Sequence, residues 1–205
     1  MNQFDQLASK EVVDKTIESL KSNGIDAEFV ETGEMAKKVI LSLIPKGSEV
    51  MTMTSVTLGE VGLDEEINRA DSKYNPVRDR MYSLDRNTQA QEMNKLGGAP
   101  EFVLGSVHAV SEDGKVLIAS NTGSQLGAYA YGALNVIWVV GVQKIVKDLD
   151  EGIKRIYEYV LPLESERAHK AYGVEGSNVS KLLIINKEIN PKRIKIIFVG
   201  EKLGF

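Results

Sequence analysis

Residues 120–144 are SNTGSQLGAYAYGALNVIWVVGVQK, and this stretch decides the fold. A polar loop (Ser120–Gln125) leads into a run of small residues (Leu126–Gly132) that predicts a helix. An apolar run (Val136–Val140) follows and predicts a buried strand, which ends at a second polar turn (Gly141–Lys144). In open α/β sheets, ligands bind at loops of this kind, beyond the carboxyl ends of the strands. The stretch therefore predicts an α/β fold and the place of a ligand site.

Helical and strand patterns alternate in residues 1–70. Apolar residues spaced three and four apart predict amphipathic helices, and short apolar runs predict strands. The predicted helices are Ser9–Asn23, with Gly24 as the stop, Thr32–Ile44, with Thr32 as the N-cap, and Leu58–Ala70, and the predicted strands are Ile25–Val30 and Glu49–Met53. This alternation predicts a Rossmann-like, mostly parallel sheet flanked by helices.

A hairpin interrupts the parallel pattern. Residues 111–114, Ser-Glu-Asp-Gly, lie between two apolar runs, and Asp-Gly favours a tight turn because glycine accepts a positive φ. We therefore predict an antiparallel hairpin around Glu112–Gly114. The other predicted elements are strands at Phe102–Val110, Lys115–Ala119, Leu182–Ile185 and Ile194–Val199, a helix at Asp148–Leu161 that ends near Pro162, and a helix-rich connection over Arg69–Gly98.

The composition excludes several classes of function. The chain has 205 residues, a formal net charge of −4 and no cysteine. An acidic chain lacks the basic surface that broad nucleic-acid binding requires, so we expect no nucleic-acid partner. Without cysteine the chain holds no disulfide and no cysteine-ligated iron–sulfur cluster, and with only two histidines we expect no metal site. The N-terminus lacks a signal-peptide pattern and no window approaches a membrane span, so we expect a cytoplasmic protein with no membrane partner.

Three polar segments are candidates for binding an anion. Serine, threonine, asparagine and glutamine offer donors and acceptors, and glycine allows close approach of the backbone. Capping of the helices that follow is the alternative explanation of the hydroxyls. A lysine at a strand end can pair with an anion, although a solvated surface lysine is the commoner case. The candidate ligand-binding residues are Ser55, Thr57, Ser120, Asn121, Thr122, Gly123, Ser124, Gln125, Gln143 and Lys144.

Few residues suit acid–base chemistry. Histidine is the side chain that titrates near neutral pH without perturbation, and the chain has His108 and His169. His108 lies in an apolar run, where a histidine that is satisfied in the core is the commoner case. His169 lies in a charged stretch and is predicted to be solvated. The catalytic residues are therefore unassigned, with His108 and Lys144 as the candidates, and the sequence does not identify a cofactor.

Residues Gly105–Gly173 carry a likeness to a known family. The hairpin followed by Ser-Asn-Thr-Gly-Ser-Gln, and Val-Val-Gly-Val-Gln-Lys-Ile-Val followed by Asp-Leu-Asp, resemble the lactate-utilisation (LUD) domain family. The resemblance extends more loosely to Met53–Leu58 and to Leu182–Asn186, so we predict a single LUD domain over residues 1–205. It implies a fold similar to that of CoA transferases, ribose-5-phosphate isomerases and glucosamine-6-phosphate deaminases, with ligands bound by loops at the strand ends.

The resemblance also implies a place in organic-acid and carbon metabolism. Some members are linked to lactate oxidation, beside partner subunits that carry iron–sulfur clusters. Our leading hypothesis is a cytoplasmic lactate-utilisation-type protein that binds a small anionic metabolite at the strand-end loops. The alternatives are a non-catalytic subunit or scaffold of an iron–sulfur lactate-oxidising complex, and a sugar-phosphate isomerase or CoA-transferase-like enzyme. Whether the chain is an enzyme stays open, and the apolar run Ala128–Val142 fits either a homodimer or an interior helix.

Overall fold

Strands and helices alternate through residues 2–205, which a computed structural model describes. The strands are β1 (Asp26–Val30), β2 (Glu49–Thr52), β3 (Asn75–Pro76), β4 (Phe102–Gly105), β5 (Ala109–Ser111), β6 (Val116–Ser120), β7 (Asn135–Gly141), β8 (Ile145–Val146), β9 (Lys181–Ile185) and β10 (Ile194–Val199). The α-helices are α1 (Lys10–Ser22), α2 (Gly33–Leu43), α3 (Val56–Val61), α4 (Leu63–Asn68), α5 (Val77–Tyr82), α6 (Ala90–Gly98), α7 (Leu149–Arg155) and α8 (Leu161–Tyr172). Two π-helical segments, Ala128–Gly132 and Ile156–Val160, and two short 3-10 segments, Gln3–Asp5 and Val142–Lys144, complete the list.

Within residues 2–205, six strands form a sheet in the order β1-β10-β7-β4-β2-β3, and every neighbouring pair is parallel. A parallel sheet requires cover on both faces. Val13 and Leu20 of α1 pack on one face, and Ala36 and Ile40 of α2 pack on the other. Trp138 of β7 is fully buried in the core on the α1 face. The predicted α/β fold, with a mostly parallel sheet flanked by helices, is confirmed.

A second sheet has the order β8-β5-β6-β9. β5 and β6 form the predicted antiparallel hairpin, and Gly114 takes the positive φ (82°) that its turn requires. The predicted strand Phe102–Val110 is wrong, because the chain leaves β4 after Gly105 and enters β5 at Ala109. These two strands belong to different sheets, so the three residues between them cross from one sheet to the other.

Two helix predictions are also wrong in part. Leu58–Ala70 divides into α3 and α4 at Gly62, whose φ of 71° ends the first helix. The helix at Asp148–Leu161 does not end near Pro162 but continues to Tyr172. Proline lacks an N–H group and crowds the carbonyl four residues earlier. The π-helical turn Ile156–Val160, directly before the proline, widens the helix at this point.

Short polar side chains begin several helices, among them Thr32, the predicted N-cap of α2. Thr32 Oγ1 accepts from the Met35 N–H, and Asp148 accepts from the Glu151 N–H. The connection over residues 69–98 contains α5 and α6, as predicted, and also the short edge strand β3. Among residues 2–205, no helix combines the length and the apolar character that crossing a membrane requires.

Candidate functional site

A cavity of about 1010 Å³ lies at the carboxyl ends of the parallel strands. Residues after β2, β4 and β7 form its floor, the polar loop Ser120–Gln125 after β6 forms one wall, and α8 forms another. The carboxyl ends of parallel strands meet at one edge of the sheet, which is where α/β folds bind ligands. We refer to this space as the strand-end cavity.

Lys144 lies in the floor of the cavity and is 1% exposed. It belongs to the 3-10 segment directly after β7, and its Nζ donates to Thr57 Oγ1 (3.0 Å) and Ser106 Oγ (3.2 Å). Both hydroxyl groups use their own hydrogens elsewhere: Thr57 donates to the Leu203 carbonyl and Ser106 to the Val139 carbonyl. The two hydroxyl oxygens are therefore fixed as acceptors toward the lysine.

The surroundings of Lys144 favour its neutral form. Burial is the main cause and lowers the pKa of Lys144 from 10.5 to about 7. The positive charge of Arg155 lowers this pKa further, while Glu60 opposes both effects. An amine with this pKa exists in comparable amounts as ammonium and as free base at neutral pH, so it can serve as a counter-charge or as a nucleophile.

His108 lines the same cavity, at the crossing between the two sheets. Its Nδ1 accepts from the Ala119 N–H at 3.0 Å, which leaves the ring hydrogen on Nε2. Burial, followed by the charges of Lys144 and Arg155, lowers the pKa of His108 to about 3. His108 is therefore a neutral imidazole at physiological pH and a hydrogen-bond donor through Nε2, rather than a general base.

Arg155 holds the backbone of His108, in the segment that passes from one sheet to the other. Its guanidinium is fully buried, donates from Nη1 to the His108 carbonyl and lies 5.1 Å from the ring centroid of Tyr159. Its Nε and Nη2 have no hydrogen-bond partner within residues 2–205. Burial lowers the pKa of Arg155 to about 10, so the guanidinium stays charged and adds positive potential beside the cavity.

The polar loop Ser120–Gln125 is held by its own hydrogen bonds. Ser120 Oγ accepts from the Gly123 N–H (2.9 Å), and Thr122 Oγ1 accepts from the Ser124 N–H (3.3 Å). Gly123 has a φ of 85° and does not belong to the cavity lining, and a Cβ at this position would meet the Lys181 side chain. The other five residues of the loop line the cavity: Ser120, Asn121, Thr122, Ser124 and Gln125.

The remaining predicted residues divide between the cavity and other places. Ser55 lines the cavity and also caps α3, accepting from the Leu58 N–H at 3.3 Å. Gln143 is buried outside the cavity lining and donates to the Leu203 carbonyl at 2.8 Å, so it holds neighbouring backbone. His169 is exposed, in agreement with the prediction that it is solvated, and its ring contacts the Val174 carbonyl.

Sequence reasoning missed several residues that line the cavity. Ser106 lies within residues Phe102–Val110, which the sequence predicts as one continuous strand. Arg78, Arg86 and Arg167 also line the cavity, together with the carboxylates Asp64 and Glu164, and they lie in charged segments whose pattern resembles a solvated face. Arg78 pairs with Asp64 at 2.9 Å, and Arg167 pairs with a glutamate of its own helix. No group of three or more histidine, cysteine, aspartate or glutamate residues suited to a metal ion occurs within residues 2–205.

Comparison with known proteins identifies the family. No curated protein matches the sequence. A DUF162 family protein from Deinococcus radiodurans has the same fold, with a TM-score of 0.59 and 14% identity over 95% of this chain and 100% of that one. The eIF2B beta structure from Chaetomium thermophilum gives a TM-score of 0.39 and 15% identity over 58% of this chain and 44% of that one. The sequence profile of the LUD domain matches residues 13–199, and the chain therefore belongs to the LUD domain family.

Proposed function

We propose that this chain binds a small organic anion in the strand-end cavity, with Lys144 as its counter-charge, in cytoplasmic organic-acid metabolism. Membership of the LUD domain family suggests a lactate-utilisation-type protein. The ligand class of its cavity is then a small organic anion. The observation that carries it is the environment of Lys144. This lysine is buried against hydroxyl groups and forms no ion pair with any other residue that the structure describes.

Two other cations of the chain do have a carboxylate partner. Arg193 is nearly as buried, and it pairs with Glu188 at 2.8 Å. At the cavity, Arg78 pairs with Asp64. A buried charge requires a partner, because desolvation costs several kcal/mol that only a counter-charge or hydrogen bonds offset. An anionic ligand would provide the ion-pair partner that Lys144 lacks among residues 2–205.

The electrostatics around the cavity favour the same class of ligand. The buried guanidinium of Arg155 stands behind His108, and neither Arg155 nor Lys144 forms an ion pair within residues 2–205. Two basic groups without an ion-pair partner among the described residues, in a region of low dielectric, produce a potential that attracts anions. The Nε2–H of His108 and the side chains of the polar loop supply donors for the oxygen atoms of such a ligand.

Thermal denaturation in the presence of candidate ligands tests the proposal. The panel contains lactate and other 2-hydroxy acids, sugar phosphates and CoA esters, each in excess, since a ligand that binds only the folded state raises the melting temperature. We expect at least one anion to stabilise the wild-type chain and to lose this effect with Lys144→Met. Lys147→Met is the matched control, because Lys147 is exposed and lies close to Lys144 in sequence.

The placement of the site has a separate test. Thr122→Ala removes one hydroxyl from the cavity wall and leaves Lys144 in place, so it should weaken binding without abolishing it. A ligand that stabilises the wild type and Lys144→Met equally would contradict the assignment of the counter-charge. If no anion in the panel stabilises the wild-type chain, the proposed function fails for these ligand classes.

A further inference from the structure

A neutral amine can form both hydrogen bonds that Lys144 donates. A neutral amine has two N–H donors and one lone pair, whereas an ammonium group has three N–H donors. Thr57 Oγ1 and Ser106 Oγ accept two hydrogens from Nζ, and both oxygens are fixed as acceptors by their own bonds to carbonyl groups. No further protein acceptor within residues 2–205 bonds to the third position of Nζ.

We propose that Lys144 forms a reversible imine with a carbonyl-bearing organic acid, a 2-oxo acid or an aldehyde acid, that occupies the strand-end cavity. The inference rests on the proposed function, since it uses the same cavity and adds a chemical step to binding. Lys144 lines the cavity, and its two N–H groups are engaged by the floor. The lone pair of the neutral amine is therefore the part of the group that remains available to a ligand.

The step conserves atoms and electrons without a further reactant. The nitrogen lone pair forms a bond to the carbonyl carbon, and the carbonyl π pair moves to the oxygen, which takes up a proton. Both amine hydrogens leave the nitrogen, and the oxygen departs as water as the carbon–nitrogen double bond forms. Water is the only product besides the imine, and nothing is oxidised or reduced. The two hydroxyl oxygens that accept from Nζ orient the nitrogen for this attack.

His108 suits the role of a hydrogen-bond donor to the reacting molecule. The backbone N–H of Ala119 occupies Nδ1, so Nε2 carries the hydrogen in the neutral ring. Burial, assisted by the positive charge of the neighbouring Arg155, keeps the imidazole neutral. A neutral donor can polarise a carbonyl or bind a carboxylate without adding a further buried cation.

The protonation of Lys144 supports the chemistry. With a pKa of about 7, roughly half of the Lys144 amines are unprotonated at neutral pH. An ordinary lysine, with a pKa near 10.4, is unprotonated about once in a few thousand molecules at that pH. The unprotonated fraction of Lys144 is therefore on the order of a thousandfold larger than that of an exposed lysine, and we expect Lys144 to react with a carbonyl faster by up to that factor.

Reductive trapping tests the inference. The wild-type chain is incubated with pyruvate and sodium cyanoborohydride at neutral pH, and its intact mass and proteolytic peptides are measured. We expect one reduced pyruvate adduct per chain, located on Lys144. Lys144→Arg keeps the positive charge but cannot form an imine, so it should give no rapid adduct, whereas the exposed Lys147→Arg should react like the wild type. Mapping the adduct in the wild-type chain does not depend on the folding of either variant.

The outcomes separate the two proposals. Lactate resembles pyruvate but has no carbonyl next to its carboxylate, so it reports binding alone. Stabilisation by lactate or pyruvate without an adduct on Lys144, or with adducts spread evenly over exposed lysines, overturns the imine and leaves anion binding intact. A rapid adduct on Lys144 supports the imine. If that adduct forms although no anion stabilises the chain, the imine is supported and the proposed anion binding is overturned.

Discussion

Replacing Lys144 by methionine should make the ligand-free chain more stable at and below neutral pH. Methionine has a similar length and no charge, so it occupies the buried position without the desolvation cost of an amine. The hydroxyls of Thr57 and Ser106 keep their bonds to backbone carbonyls when the amine is absent. The substitution therefore isolates the cost of burying the lysine, and this cost depends on pH.

The pKa of Lys144 fixes the sign and the size of this dependence. The folded value of about 7 lies below the value of 10.5 for an unperturbed lysine, so between them the unfolded chain binds a proton that the folded chain does not. Wild-type stability therefore rises with pH in this window, by up to about 1.4 kcal/mol per pH unit. The advantage of Lys144→Met is greatest below pH 7 and falls by about 2.5 kcal/mol between about pH 7.5 and about pH 9.5.

Urea denaturation of both proteins at a series of pH values measures the difference directly. Taking the difference between the two free energies of unfolding removes the contribution of groups that titrate equally in both. Lys147→Met is the control, and its curve should run parallel to that of the wild type, because its side chain is exposed in the folded chain. Parallel curves for Lys144→Met and the wild type would refute the argument that Lys144 is buried with a strongly lowered pKa.

Three further predictions concern the cavity and the packing around it. The affinity for a monoanion should fall about tenfold per pH unit above pH 7, measured by titration calorimetry, because binding requires the ammonium form of the cavity lysine. Gly105→Ala places a Cβ 1.7 Å from Tyr129 Oη, and we expect it to lower the free energy of unfolding by about 1–3 kcal/mol. Gly59→Ala is the control, because a Cβ at this helical position meets nothing within 4 Å, and it should raise the free energy of unfolding by up to about 1 kcal/mol. Arg193→Ala leaves Glu188 buried without its counter-charge and should cost about 3–5 kcal/mol in urea denaturation, with Glu188→Gln costing less.

The sequence predicts the main sheet well because its strands and helices have different periods. Each parallel strand is a short apolar run, and each helix repeats every three to four residues. The crossing at Ser106–His108 escapes this reasoning. β4 and β5 are both fully buried, so the apolar run from Phe102 to Val110 looks continuous although it serves two sheets. Periodicity reports burial, and it does not report which sheet a residue joins.

The sequence predicts where the site lies but not how deeply its lysine is buried. Lys144 and Thr57 follow strands that end at the same edge of the sheet, which is why sequence reasoning selected both. From the sequence alone, the default prediction for Lys144 is a solvated lysine. In the fold, residues 203–204, which are distant in the sequence, pack beside Lys144 and contribute to its burial. Gln143 is adjacent to Lys144 and points elsewhere, because successive residues of a 3-10 turn face different directions. The polar loop as ligand contact, the homodimer and the iron–sulfur partners stay predictions.

Lys144 lowers the stability of the folded chain, and this loss indicates that the cavity has a function. A methionine or leucine at this position would satisfy the fold, because the hydroxyls around it are already bonded to carbonyl groups. The lysine instead lowers the free energy of unfolding at neutral pH, because its pKa is lower in the folded chain than in the unfolded chain. This loss is appreciable, since the total free energy of unfolding of a typical protein is only about 5–15 kcal/mol. Local features that reduce stability without a structural return are typical of functional sites, where activity requires a strained or desolvated group. Lys144 meets this description at the floor of the large cavity. The thermodynamic cost and the reactivity of the amine therefore have one cause, its removal from water.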